Sequence, residues 1–133
     1  MERRPSSPAE LAELRRLAQR EISDAGVAGL SLEGKFEHAY AAARALALMV
    51  VRTEGYRPTA TGGSHYNTFL ALEAADPGTF ARYSAYLDTC RAKRNDLSYD
   101  LARATSETEV RELLKVIPGL AGVVDSWVAR RPA

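Results

Sequence analysis

Apolar residues in this chain recur at three- and four-residue intervals over long stretches, the spacing of one helix face, and no segment alternates convincingly as a half-buried strand would. Leu11, Leu14 and Leu17, with Ile22 close to the same side, define the face of a first helix. Its start is written in "SPAEL": Ser7 is the N-cap, Pro8 takes the first helical position, and Glu10 supplies the far half of a capping box. This helix is expected over about 8–25, ending near Gly26. After the connector "GVAGLSLEGK", a second helix is expected from Leu32 or Lys35 to Glu54, stopped by Gly55. Phe36, Tyr40, Ala43, Ala47 and Val50 share one face, and Ala42, Ala45, Leu46 and Met49 lie beside it. A helix apolar on most sides, with small residues that permit close approach, belongs at the centre of the fold.

A shorter third helix fits His65 to Ala75 and is interrupted by "DPG". The fourth, from Thr79 to Asn95 or Leu97, places Phe80, Tyr83, Leu87 and Cys90 on one face. The fifth opens with a second capping box, Ser106 with Glu109, and continues through Val110, Leu113, Leu114, Ile117, Leu120, Val124, Trp127 and Val128. Pro118 falls inside that stripe and predicts a kink or a break into two helices. The expected architecture is an all-α, up-and-down bundle of four to five helices in a single domain, 1–133.

Length and composition agree with one soluble-type globular domain: 133 residues, 46% apolar and 26% charged. The net charge of +1 gives no global attraction to a polyanion, so nucleic-acid binding would need a local basic patch. Cys90 is the only cysteine, which excludes an intrachain disulfide, and two histidines beside it make a poor zinc set, so no metal and no cofactor are expected. The start "MERRPSSPAELAELRR" lacks the apolar stretch of a signal peptide. The most apolar segment, Ala39 to Val51, contains Arg44 and is too short to span a bilayer. A cytoplasmic protein without a membrane partner is expected.

One stretch departs from this ordinary picture: "RAKRNDLSYD", Arg91 to Asp100. Projecting the fourth helix forward at about 100° per residue puts Arg94 near the middle of the apolar arc, Arg91 on its flank and Lys93 pointing away. A guanidinium cannot shed its charge to escape burial, so Arg94 requires a carboxylate, a carbonyl or an anion. Asp96, Asp100 and Glu37 are the carboxylates available for a structural pair; a binding site is the other reading. Asn95 either caps the helix end or orients a ligand. Were the helix to continue, Tyr99 would lie well round from Arg94, and joint action would need a break or a second subunit.

Arg94–Asn95 at a helix end, a short spacer and "YD" follow an alanine-rich helix, "HAYAAARALALMVVRTEGYRP", and a "GGSH" helix start. Together these resemble the HEPN domain superfamily over about 32–128. The resemblance implies a small, commonly dimeric helical bundle; many members are metal-independent RNases, toxins, or partners of a nucleotidyltransferase. Active HEPN nucleases carry an arginine, a polar residue and then a histidine at the end of a short window. Here that window holds Tyr99, Asp100 and Leu101 instead. Metal-free RNA cleavage needs a group that titrates near neutrality, which imidazole supplies and an unperturbed phenol does not. A tyrosine modified by nucleotidyl transfer would follow the motif histidine, and that arrangement is also missing.

What the resemblance implies is therefore a binding module, a homodimer, whose cleft presents Arg94, Asn95, Tyr99, His65 and Arg91 to a nucleotide, an RNA phosphate or a partner protein. The alternatives are a metal-independent endoribonuclease toxin, with Arg94 and Tyr99 as catalytic candidates, and a structural homodimer without a ligand. His65 follows "GGS", where the free N–H groups of a helix start suit a phosphate, though a cap or surface role fits too. His38, early in the buried second helix, reads as a core or cap residue. The loop "TATGGS" lacks the lysine and spacing of a P-loop.

Overall fold

In the computed structural model, which describes residues 1–58, 64–99 and 105–131 (side chains at 2, 64 and 95–99 excepted), five helices form an all-α bundle. They are α1 (Pro8–Ala25), α2 (Leu32–Thr53), α3 (Ser64–Ala75), α4 (Pro77–Tyr99) and α5 (Glu107–Ala129). The alanine-rich α2 is the axis on which the others assemble: α1, α3, α4 and α5 all pack against it, and α3 also packs on α4. Its residues Phe36, Tyr40, Ala43, Leu46, Ala47 and Val50 are all buried. No helix among the described residues is long and apolar enough to cross a membrane.

Local chemistry explains most helix ends. Ser7 accepts from the Glu10 N–H and Ser31 from the Gly34 N–H. Among the described residues only Ser106 completes a capping box, with the Glu109 carboxylate accepting from the Ser106 N–H at 2.8 Å. At α1 the expected box stays half made, because Glu10 turns to Arg52 instead. α4 begins at Pro77, two residues before the expected Thr79, since "DPG" is a helix start: Asp76 accepts from the Thr79 N–H and hydroxyl, and Pro77 takes the first position.

Two outcomes depend on tertiary structure: of the kink or break expected at Pro118, the break does not occur. α5 is one helix through Pro118. Val110, Leu113 and Ile117 before the proline and Leu120, Val124 and Trp127 after it form one buried stripe against the bundle. Pro118 itself is exposed, so the carbonyl its missing N–H leaves behind falls on the side that water can reach. Second, the chain does contain strands. Glu2–Arg3 (β1) and Tyr56–Arg57 (β2) pair antiparallel, Glu2 with Arg57 and Arg3 with Tyr56. Gly55, at φ +90, turns the chain out of α2 to present β2. Strands of two residues are too short to show alternation in sequence.

Buried Arg52, near the end of α2, fastens this corner. Its guanidinium donates to both Glu10 carboxylate oxygens, at 2.5 and 3.0 Å, and to the carbonyls of Arg4, Pro5 and Tyr56. The N-terminal segment, α1 and β2 thus meet on one side chain.

Candidate functional site

Three helices converge on Tyr40. Glu37, Tyr40 and Arg44 follow at helical spacing along α2, His65 comes from the first turn of α3, and Arg94 from α4. With Glu21 of α1 they line a pocket of about 180 Å³. Tyr40 is the hub: its body is buried, its hydroxyl lies 2.9 Å from His65 Nδ1, and the two rings stack within 10° of parallel. Arg94 lies over the Tyr40 ring, Cζ 5.5 Å from the centroid. Tyr40 thus fills its place in the apolar stripe while its polar tip serves the pocket.

Electrostatics mark the same spot. Burial first, then the charges of Arg44, Arg94 and Arg91, push the His65 pKa down to about 4. Burial pushes Tyr40 up to about 12, against the pull of Arg94, Arg44 and Arg91. At neutral pH the phenol keeps its proton and the imidazole is uncharged; in the Nε2–H tautomer the Tyr40 hydroxyl donates to Nδ1. Three guanidinium groups act on one neutral imidazole.

Arg44 is the anomaly. Its Nε is buried and has no hydrogen-bond partner, and among the described residues its guanidinium forms no ion pair. Burial, with Arg94 nearby, lowers its pKa from the ordinary guanidinium value, yet a guanidinium does not deprotonate near neutrality. The pocket's carboxylates pair with groups other than Arg44: Glu37 with Arg94 Nε at 3.0 Å, inside the same pocket, and Glu21 with His38 Nδ1 at 2.7 Å. A half-buried cation without a carboxylate is costly, and an arriving anion would supply what the fold withholds.

The basic cluster of α4 is distributed differently from the helical projection. Arg94 does face α2, where Glu37 is its partner. Arg91 pairs with Asp88 at 2.7 Å and lies across the ring of Tyr66. Lys93, expected to point away, instead reaches Glu109 of α5 at 3.3 Å, because α5 starts beside the end of α4. α4 continues unbroken to Tyr99, so positions 94 and 99 lie about 140° apart around its axis. The side chains of Asn95 and Tyr99 and the loop 59–63 lie outside the described residues. Arg44 escaped the sequence reading although its signal was present: it is the lone cation in the most apolar segment of the chain.

His38 is neither core nor cap. It is about one-third exposed, and its bond to Glu21 raises its pKa against the opposing effect of burial. Glu21, Asp24 and His38 bring their donor atoms within 4.8 Å of one another, the arrangement among the described residues that could hold a metal ion. The Glu21–His38 bond already accounts for it as a link between α1 and α2. Three larger hollows, of about 490, 540 and 280 Å³, lie by the N-terminal segment, by the outer side of α3, and between Arg44, Arg52 and Arg57. The hollows of about 490 and 540 Å³ contain no buried polar group without a partner, whereas Arg44 lines the one of about 280 Å³ as well as the Tyr40 pocket. No family model matches the sequence, and no curated protein or solved structure matches it. What the fold defines is the class: an all-α bundle of five helices.

Proposed function

We propose that this protein is a HEPN-type helical binding module that takes the phosphate group of its ligand in the pocket formed by Tyr40, Arg44, His65 and Arg94. The observation that carries the reading is Arg44, a cation on the central helix whose buried Nε has no partner, beside a second arginine and a neutral imidazole. Binding without turnover is the better-supported activity, because an imidazole held near pKa 4 is a poor general base at neutral pH. The expected homodimer and a nucleotidyltransferase-type partner belong to the same reading, as expectations from the resemblance.

The test separates ligand binding from folding. Arg44→Gln should weaken inorganic phosphate binding, measured by calorimetry, about 10- to 100-fold, the scale of one lost charge-assisted interaction. The same variant should keep or slightly gain stability in urea, since it removes a half-buried charge. An arginine that merely holds the fold gives the opposite pair of results, and unchanged phosphate affinity sinks the reading.

A further inference from the structure

Next to the pocket, an exposed ring has no role in the core. Tyr66 follows His65 on α3 and is 44% exposed, whereas Thr68, Phe69 and Leu72 carry the buried side of that helix. Arg91 lies across the ring with Cζ 5.2 Å from its centroid, and Asp88 holds Arg91 in place from one turn earlier on α4. The same arginine contributes to the potential on His65 and Tyr40, so ring and pocket share a charged group. Size supplies the second constraint. At about 180 Å³ the pocket falls below the ~300–1,000 Å³ of sites that enclose a whole small-molecule ligand. It admits a phosphate group and leaves the rest of the molecule outside, on a surface whose exposed aromatic group is Tyr66.

An exposed tyrosine backed by a fixed guanidinium is a stacking platform, tolerant of base identity because every base has a π face. We propose that Tyr66 and Arg91 form a stacking subsite for the ring of a nucleoside phosphate, free or at the end of an RNA strand, whose phosphate occupies the Arg44–Arg94 pocket. This rests on the phosphate-binding reading and adds the residues that would hold the base, Tyr66 and Arg91. A sugar phosphate or a phosphorylated side chain would fill the pocket but leave the platform unused.

The experiment compares inorganic phosphate, ribose phosphate, adenosine monophosphate and a short phosphorylated oligoribonucleotide on the wild type, Tyr66→Ala, Tyr66→Phe and Arg44→Gln. Adenosine monophosphate should bind the wild type about 5- to 100-fold more tightly than ribose phosphate, the scale of one stacked base. Tyr66→Ala should abolish that advantage and leave ribose phosphate affinity unchanged; Tyr66→Phe should retain it. Equal affinity for the two ligands in the wild type overturns the subsite, as does a Tyr66→Ala loss shared equally by both. The two proposals fail separately: phosphate binding indifferent to Arg44→Gln refutes the pocket, whereas phosphate binding that needs Arg44 but shows no base preference refutes only the platform. An oligoribonucleotide that outcompetes the mononucleotide identifies a strand as the source, and parity identifies the free nucleotide.

Discussion

Trp127→Ala should destabilise the protein by about 3–5 kcal/mol in equilibrium urea unfolding, the largest effect expected of any single substitution considered. Trp127 is fully buried near the end of α5 and meets Phe80 edge-on, ring centroids 5.8 Å apart. Its indole N–H donates to Asp76 Oδ2 at 3.3 Å, the carboxylate that caps α4. Truncation therefore opens a cavity between α4 and α5 and removes one support of the cap. The two contributions can be separated. Trp127→Phe keeps an aromatic ring but has no donor, so it should cost much less, on the order of one hydrogen bond plus a small packing defect (about 1–2 kcal/mol). If Phe is as harmful as Ala, the indole N–H matters more than the packing.

Arg52→Met should cost about 2–3 kcal/mol. Removing one partner of a fully buried ion pair commonly costs 3–5 kcal/mol, because the other charge is stranded. Here the Glu10 side chain is 39% exposed and water can reach it, which discounts that figure. The carbonyls of Arg4, Pro5 and Tyr56 lose a common donor, and their cost remains. Amide exchange should quicken at residues 2–7 and 56–57 more than in α5. The pH dependence has a definite sign. The hydrogen bond from Arg52, outweighing burial, lowers the Glu10 pKa from 4.5, so this pair stabilises the fold above that value. Its contribution is lost as pH falls through the lowered folded-state pKa, and Arg52→Met should show less of that acid-side loss.

Much of the bundle is legible in the sequence because its information is local. Ser7 and Ser106 mark helix starts through chemistry within three residues, and the alanine-rich run of α2 marks a buried axis. What is not legible depends on residues far apart. Pro118 suggests a break, but a continuous apolar stripe on either side of it keeps α5 whole. The β1–β2 pair and the Arg52 clasp join segments more than 40 positions apart. At the site, helical projection turns Arg94 toward α2, yet cannot show that Glu37, 57 positions away, meets it there. It sends Lys93 outward because it knows nothing of α5. Arg44 is visible as a charge in an apolar run, but only the pocket shows that its Nε is buried without a partner.

A phosphate in the Tyr40–His65–Arg44–Arg94 pocket, as proposed above, would act on the imidazole that lines it. The two histidines make this directly observable by NMR titration, because they shift in opposite directions: His38 upward beside Glu21 and His65 downward to about 4. His38→Gln assigns the signals. Burial first, and then the guanidinium charges, hold His65 neutral, and a phosphate in the pocket offsets the charges. Saturation with inorganic phosphate should therefore raise the His65 pKa by about one unit or more, each unit being 1.36 kcal/mol of interaction, with His38 unmoved. Sulfate, a dianion across the whole titration, should act the same way. A His65 midpoint that stays where it was while phosphate is saturating would contradict the account.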